Sequence, residues 1–245
     1  IVGKGITFDS GGINLKPSGH IETMRLDMAG AAAVLGVMKA IARLKPKINV
    51  VGVCAAAYNA IDGKAGIPGD ILKSYSGKTV EICNTDAEGR LALADALSYV
   101  QAKRKPTEIV DLATLTGGML TTFADLIAGL FSNDDRLAGE LFTAGEQTNE
   151  RLWRLPVYRE FSDAMKGDRC DLRNLPTFKR GHASSVTGAA FIKEFIQDIP
   201  WAHLDIAGTA FNEGEPRGET PKYGTGFGVR LLLHYLLGTA AKPGH

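Results

Sequence analysis

The eight residues Asn84-Thr85-Asp86-Ala87-Glu88-Gly89-Arg90-Leu91 constrain this chain more than any other stretch. They put two carboxylates and a guanidinium at alternate positions. In an extended segment residues i, i+2 and i+4 share one side of the backbone, so Asp86, Glu88 and Arg90 are expected to face one point. A regular helix would spread them around its axis. The next residues, Leu91 to Leu97, carry an apolar stripe at helical spacing. The helix therefore begins close to Gly89. The charges fall on a strand-to-helix turn above the end of a sheet, where open α/β folds bind ligands. Taken alone, the octapeptide fits a structural role equally well. Thr85 and Glu88 have the spacing of a capping box, and Asp86 would favour a helix N-terminus.

The rest of the chain alternates strands and helices. Residues 1–8 read as a strand, broken by Asp9-Ser10-Gly11-Gly12. Asp27 precedes a strong helix, residues 28–44, and is expected at its N-cap or first turn. Residues 49–57 form a continuous apolar run, expected as a buried central strand. A Gly- and Pro-containing loop, 64–69, leads to short strands over 71–75 and 79–83 around Ser76-Gly77. Residues 108–113 and 201–206 read as strands, and 138–151, 189–196 and 226–237 as helices. The alternation predicts an α/β fold, a three-layer α/β/α sandwich around a mostly parallel, mixed central sheet. No shift in composition divides residues 1–245, which are read as a single catalytic domain.

Composition narrows the function. The 245 residues are 44% hydrophobic and 22% charged, enough for a sizeable core. A net charge of +1 gives no argument for nucleic acid or an anionic membrane surface. No apolar run reaches the roughly 18 residues of a spanning helix. The chain opens in a strand, without a signal peptide, and is read as a domain cut from a longer protein. Cys54, Cys83 and Cys170 lack metal-type spacing and are expected as buried thiols in a reducing, cytoplasmic compartment.

Lys4 interrupts an apolar strand, and a buried lysine needs a partner or a lowered pKa. Asp9 ends that strand, Lys16 lies just beyond, and Asp27 begins the helix. Singly these read as a turn, a solvated charge and a cap. With Asp86 and Glu88, four carboxylates gather at strand ends and helix starts, where they repel unless cations neutralise them. Such sites bind hard or borderline divalent ions. Two ions roughly 3.5–4 Å apart suit hydrolysis. A metal-bound lysine must be neutral, and a nearby dication favours that form. Other motifs fail. Gly77-Lys78-Thr79 imitates the end of a phosphate loop, but Leu72 stands where glycine is required. There is neither an H-E-x-x-H nor a G-x-S-x-G.

The segments Val2 to Gly12 and Asn84 to Leu91 resemble the signatures of the leucyl aminopeptidases, also called cytosol aminopeptidases. The spacing from Lys4 to Arg90 agrees, as do Ala113 to Gly117 and Trp201 to Gly208. The resemblance covers essentially the whole chain, as that family's C-terminal catalytic domain. It implies a metal-dependent aminopeptidase of leucine-type but broad preference, acting on peptides with a free N-terminus. One metal would be held by Lys4, Asp9, Asp27 and Glu88. The other would be held by Asp9, Asp86 and Glu88, with the Asp86 carbonyl assisting. Zinc or manganese is expected, with magnesium or cobalt as alternatives. A hydroxide between the metals would attack the scissile carbonyl, Lys16 would stabilise the oxyanion, and Arg90 would hold a bicarbonate ion serving as general base. Met24, Thr114, Leu115, Gly117, Ala207 and Ala210 would line the side-chain pocket, whose size is left open because some relatives carry a larger residue at position 210.

The resemblance further implies a homo-hexamer for full-length members, which carry an N-terminal domain absent here. Two departures stand out: Asp27-Met28-Ala29-Gly30 in place of Asp-Met-Gly-Gly, and Arg180-Gly181-His182, where His182 is read as a loop histidine at a helix start. Three other readings weigh less. A DNA-binding module lacks a basic run. An inactive scaffold would not keep every matched ligand. A two-metal phosphoesterase would need a basic clamp beyond Lys16 and Arg90.

Overall fold

Alternating apolar residues build the central sheet and divide its two faces. The computed structural model describes residues 1–179 and 181–241. The main sheet holds β1 (Val2–Asp9), β2 (Val53–Asn59), β5 (Ile109–Ala113), β6 (Ala128–Ser132), β7 (Leu152–Arg154) and β9 (Trp201–Asp205), in the order β2-β1-β5-β9-β6-β7. The strands β2, β1, β5 and β9 run parallel. Strand β6 is antiparallel to β9, and β7 is parallel to β6. A smaller sheet pairs β3 (Ile71–Lys73) with β4 (Thr79–Glu81), and β4 with β8 (Leu172–Arg173). The ribbon β10 (Phe211–Asn212) and β11 (Tyr223–Gly224) lies apart.

The period of two in β5 separates the layers. Val110 and Leu112 pack with Ala33 and Val37 of α1 (Ala29–Leu44), Leu137 and Leu141 of α4 (Asp135–Thr148), and Leu231 and Leu232 of α7 (Val229–Ala240). Ile109 and Ala113 pack on the other face with Leu93 and Leu97 of α2 (Gly89–Arg104), and Ala189 and Ile192 of α6 (Ser184–Lys193). The expected α/β/α sandwich around a mixed, mostly parallel sheet is therefore present. The short helices α3 (Gly117–Phe123) and α5 (Arg159–Asp163) complete the chain.

Helix α1 lies unusually close to the sheet. A Cβ on Gly30 would fall 2.1 Å from the Leu112 carbonyl oxygen, and one on Gly3 would fall 2.4 Å from Gly30. Main chain meets main chain here. Ala29 is half-buried at the start of α1.

Several expectations are corrected. The apolar run at 49–57 is not a central strand: β2 begins at Val53, lies at the sheet edge, and exposes much of its length. Hydrophobic content marks a strand but not its rank in the sheet. Cys54 is accordingly exposed and Cys83 and Cys170 only partly buried, all three free. Asp27 does not cap α1. A 3-10 turn, Ile21–Leu26, precedes it, Met28 is the N-cap, and the Asp27 side chain turns towards Lys4. Strand β6, wholly buried, falls where the periodicity assigns no element. Helices α4 and α6 begin earlier than read, at Asp135 and Ser184, and Asp134 caps α4 by accepting from the Leu137 N–H. His182 sits exposed in the turn before α6, as read, while Arg180 lies outside the described residues.

Candidate metal centre

Because β1, β2, β5 and β9 are parallel, their carboxyl ends share one edge, and polar residues stand at each: Asp9, Asn59, Thr114 and Asp205. The octapeptide joins them there. It is not extended as expected. Thr85 and Asp86 form a turn, Glu88 is the N-cap of α2, and Arg90 lies in the first helical turn. Nor is there a capping box: Glu88 gives no side-chain cap. The Thr85 hydroxyl instead donates to the Gly11 carbonyl at 2.6 Å and accepts from the Asn14 N–H at 2.9 Å, stitching the turn to the loop after β1.

The Lys4 ammonium, almost wholly buried, lies 2.7 Å from Asp27 Oδ2 and 3.2 Å from Glu88 Oε1, and donates to the Thr114 carbonyl at 3.0 Å. The Lys16 ammonium lies 2.9 Å from Asp9 Oδ2 and 2.5 Å from Asp86 Oδ1. Asn59 Nδ2 donates to Asp9 Oδ1 at 2.8 Å and to the Thr85 carbonyl at 3.1 Å. Oxygens of Asp9, Asp86 and Glu88 come within 4.8 Å of one another. The structure thus brings together Lys4, Asp9, Lys16, Asp27, Asp86 and Glu88.

Burial raises the carboxyl pKa of Asp27, Asp86 and Glu88, against the pull of Lys4 and Lys16, and that of Glu88 reaches about 7. Burial would lower the Lys4 pKa, but Glu88 and then Asp27 outweigh it and hold the ammonium above its ordinary value. Lys16 is raised too: burial opposes it, and Asp86 and Asp9 prevail.

Arg90 is buried. Its Nη1 donates to the Asn174 carbonyl at 2.9 Å, while its buried Nε has no partner. Burial lowers its pKa to about 10. It does not pair with Asp95, which accepts from the Tyr75 N–H. Of the residues expected to line a pocket, Thr114 is buried and donates to Asp27 Oδ1 at 2.7 Å. Met24, Leu115 and Ala207 are half-buried and Gly117 is exposed. Ala210 is buried in the core formed with α1, α4 and α7.

Three further residues shape the site and were not singled out from the sequence, although Asp205 lies within the matched segment Trp201 to Gly208. Asn59 ends β2 between two carboxylates. Asp205 ends β9, fully buried, and accepts from the Thr116 hydroxyl at 2.7 Å and from the Leu115 and Ala207 N–H groups at 3.2 Å. Asn174 follows β8 and holds the octapeptide from below. Position at strand ends, and for Asp205 the matched segment around it, could have signalled them.

Fold and site together define an α/β protein with a lysine–carboxylate cluster at the carboxyl edge of its parallel strands. The model of the cytosol aminopeptidase family's catalytic domain matches residues 1–233, and the chain belongs to that family. It is 48% identical to a probable cytosol aminopeptidase of Protochlamydia amoebophila over 96% of this chain and 47% of the relative. It is 52% identical to one of Rhodopseudomonas palustris over 94% of this chain and 46% of the relative. The chain thus spans about half the length of the curated relatives it matches. The solved structure of the bottromycin maturation enzyme BotP in complex with Mn matches with a TM-score of 0.92 at 39% identity, over 98% of this chain and 52% of that one.

Proposed function

We propose that this domain is a two-metal aminopeptidase that removes N-terminal residues from peptides. The observation that carries the reading is the cluster itself. Four carboxylates face two ammoniums, and Asp27 Oδ2, Asp86 Oδ1 and Glu88 Oε1 are buried without an aligned hydrogen bond, each touched by an ammonium. These oxygens are placed for cations, and the hard donor set suits divalent ions. BotP, solved with Mn, supports the same reading.

Lys4, Asp9, Asp27 and Glu88 would hold one ion, and Asp9, Asp86 and Glu88 the other. Bound there, two divalent ions supply Lewis-acid activation of water and of the scissile carbonyl. Asn59 fixes the Asp9 carboxylate, and Thr114 fixes Asp27. Lys16, with the more exposed of the two lysine side chains, is the cation available to an oxyanion. Arg90 keeps one arm on Asn174 and presents its unpartnered Nε, which suits a small planar anion such as bicarbonate as proton carrier. Met24, Leu115, Gly117 and Ala207 would receive the substrate side chain. Asp205, by holding Leu115 and Ala207, sets the spacing of two of these walls.

Titration of this chain with Mn2+ or Zn2+, followed by turnover of leucyl-p-nitroanilide, tests the reading. Two ions per chain and chelator-sensitive release of p-nitroaniline are expected. Metal binding with hydrolysis of p-nitrophenyl phosphate instead, or failure to bind any ion, overturns it. Assembly as a homo-hexamer and a cytoplasmic location remain part of the proposal for the longer protein.

A further inference from the structure

Asn174 takes no part in the chemistry proposed above, yet it holds more of the octapeptide than any of that segment's own neighbours. The strand pair β4–β8 leads to it. Val80 pairs with Leu172 and Glu81 with Arg173, and the Asn174 N–H donates to the Glu81 carbonyl at 3.0 Å. There the ladder of peptide pairs stops and the side chain takes over. Asn174 Oδ1 accepts from the Cys83 N–H at 2.7 Å and the Asn84 N–H at 3.2 Å. Its Nδ2 donates to the Asn84 carbonyl at 2.7 Å and the Ala87 carbonyl at 3.5 Å. Its own carbonyl accepts from Arg90 Nη1 at 2.9 Å. The side chain is fully buried and every polar atom is used.

Few side chains can do this. Two adjacent acceptor and donor edges are needed, of the kind a peptide group presents. Aspartate lacks the donor, and serine lacks the reach. The clamp brackets Asp86 on both sides, at Asn84 and at Ala87. Asn84 passes the constraint on, since its Oδ1 accepts from the Asp86 N–H at 2.8 Å. Glu88 follows Ala87 directly.

We infer that Asn174 is a positioning residue: its amide clamps residues 83–87, and its carbonyl clamps Arg90, so that Asp86, Glu88 and Arg90 keep one fixed arrangement for divalent cations and substrate. The inference rests on the metal reading of the preceding section. Groups behind a ligand that fix its orientation typically change metal affinity or activity by about 10- to 100-fold when removed.

The test compares Asn174→Asp and Asn174→Ala with the unaltered chain, using Mn2+ as probe. Asn174→Asp keeps both acceptor bonds and loses both donor bonds. Asp95→Ala serves as control, because it removes a contact from α2 to the Tyr75 N–H in the turn between β3 and β4, without touching residues 83–87. Both Asn174 variants are expected to be less stable than Asp95→Ala, since buried backbone groups lose their partners, yet, measured well below their unfolding transitions, to bind Mn2+ at least about tenfold more weakly, with kcat lowered and KM little changed. Asp95→Ala is expected to bind Mn2+ normally. Unchanged Mn2+ affinity in folded Asn174 variants overturns the inference. So does loss of affinity only in step with loss of folded protein, which reduces Asn174 to a structural residue. If the unaltered chain binds no Mn2+, the metal reading itself is what fails.

Discussion

Lys4 Nζ meets Glu88 Oε1 at 3.2 Å because Gly89 has no side chain. A Cβ on Gly89 would fall 2.3 Å from Lys4 Cε and 2.4 Å from Nζ. The lysine passes through the volume that any other residue would fill. Gly89→Ala is therefore expected to displace the Lys4 ammonium and weaken metal binding by about tenfold or more, although alanine favours the helix itself. A circular-dichroism spectrum matching the parent, together with reduced Mn2+ stoichiometry, is the expected pair of results. Full occupancy would contradict it.

Replacing Asp86 or Glu88 by alanine removes one carboxylate from the three, Asp9, Asp86 and Glu88, whose oxygens lie within 4.8 Å of one another. Loss of bound metal and of activity is expected in both variants, read by elemental analysis after dialysis. Two full equivalents of metal in both would remove these residues from the ligand set.

Metal loading should depend on pH with a defined sign. Burial pushes the Glu88 carboxyl up to about 7, so a proton competes with the metal below that value. Lys4, held above its ordinary value by Glu88 and Asp27 against burial, must also give up a proton to become a ligand. Affinity should rise as pH increases through about 7, and binding should release protons. Calorimetry in two buffers of different ionisation heat, at about pH 6 and about pH 8, reads both effects. A flat affinity across that range would refute the competition.

Lys16→Ala should lower kcat by on the order of a hundredfold or more while the metals stay bound. An unchanged kcat would leave Lys16 as a charge that merely balances Asp9 and Asp86.

Arg90→Lys keeps a charge but loses the planar fork and the bond to the Asn174 carbonyl. The variant should fold, hold its metals and turn over more slowly. In bicarbonate-depleted buffer, added bicarbonate should stimulate the parent and do little for the variant. Equal stimulation of both, or of neither, would remove the anion-holding role.

The lysine–carboxylate cluster was legible because charge at alternate positions and a lysine inside an apolar strand are both costly unless something uses them. The layers were legible because helical and strand periods differ. Less was legible where one local pattern serves several geometries. The octapeptide's alternation suggested an extended segment, yet a turn and a helix start bring the same carboxylates together. The apolar run before Asn59 looked central and lies at an edge, since strand order is decided by crossovers far away in sequence. Asn174 stayed hidden because a single amide carries no spacing, and Asp205, although inside the matched segment Trp201 to Gly208, has no charged partner at a telling spacing. Their roles exist only once residues some 90 positions apart are brought within reach.

The contact of Gly3 with Gly30 has a consequence for how such a sequence can change over time. A side chain that grows too large can usually be answered by a neighbour that shrinks. Here both partners already carry only hydrogen, and the remaining surface is main chain, the Leu112 carbonyl and the Lys4 nitrogen. No second substitution can make room. A larger residue at either position can be accommodated only by lifting α1 from the sheet, and the residues leading into α1 include Asp27. Mutational tolerance at two glycines outside the cluster is thereby tied to the place of the carboxylate that meets Lys4.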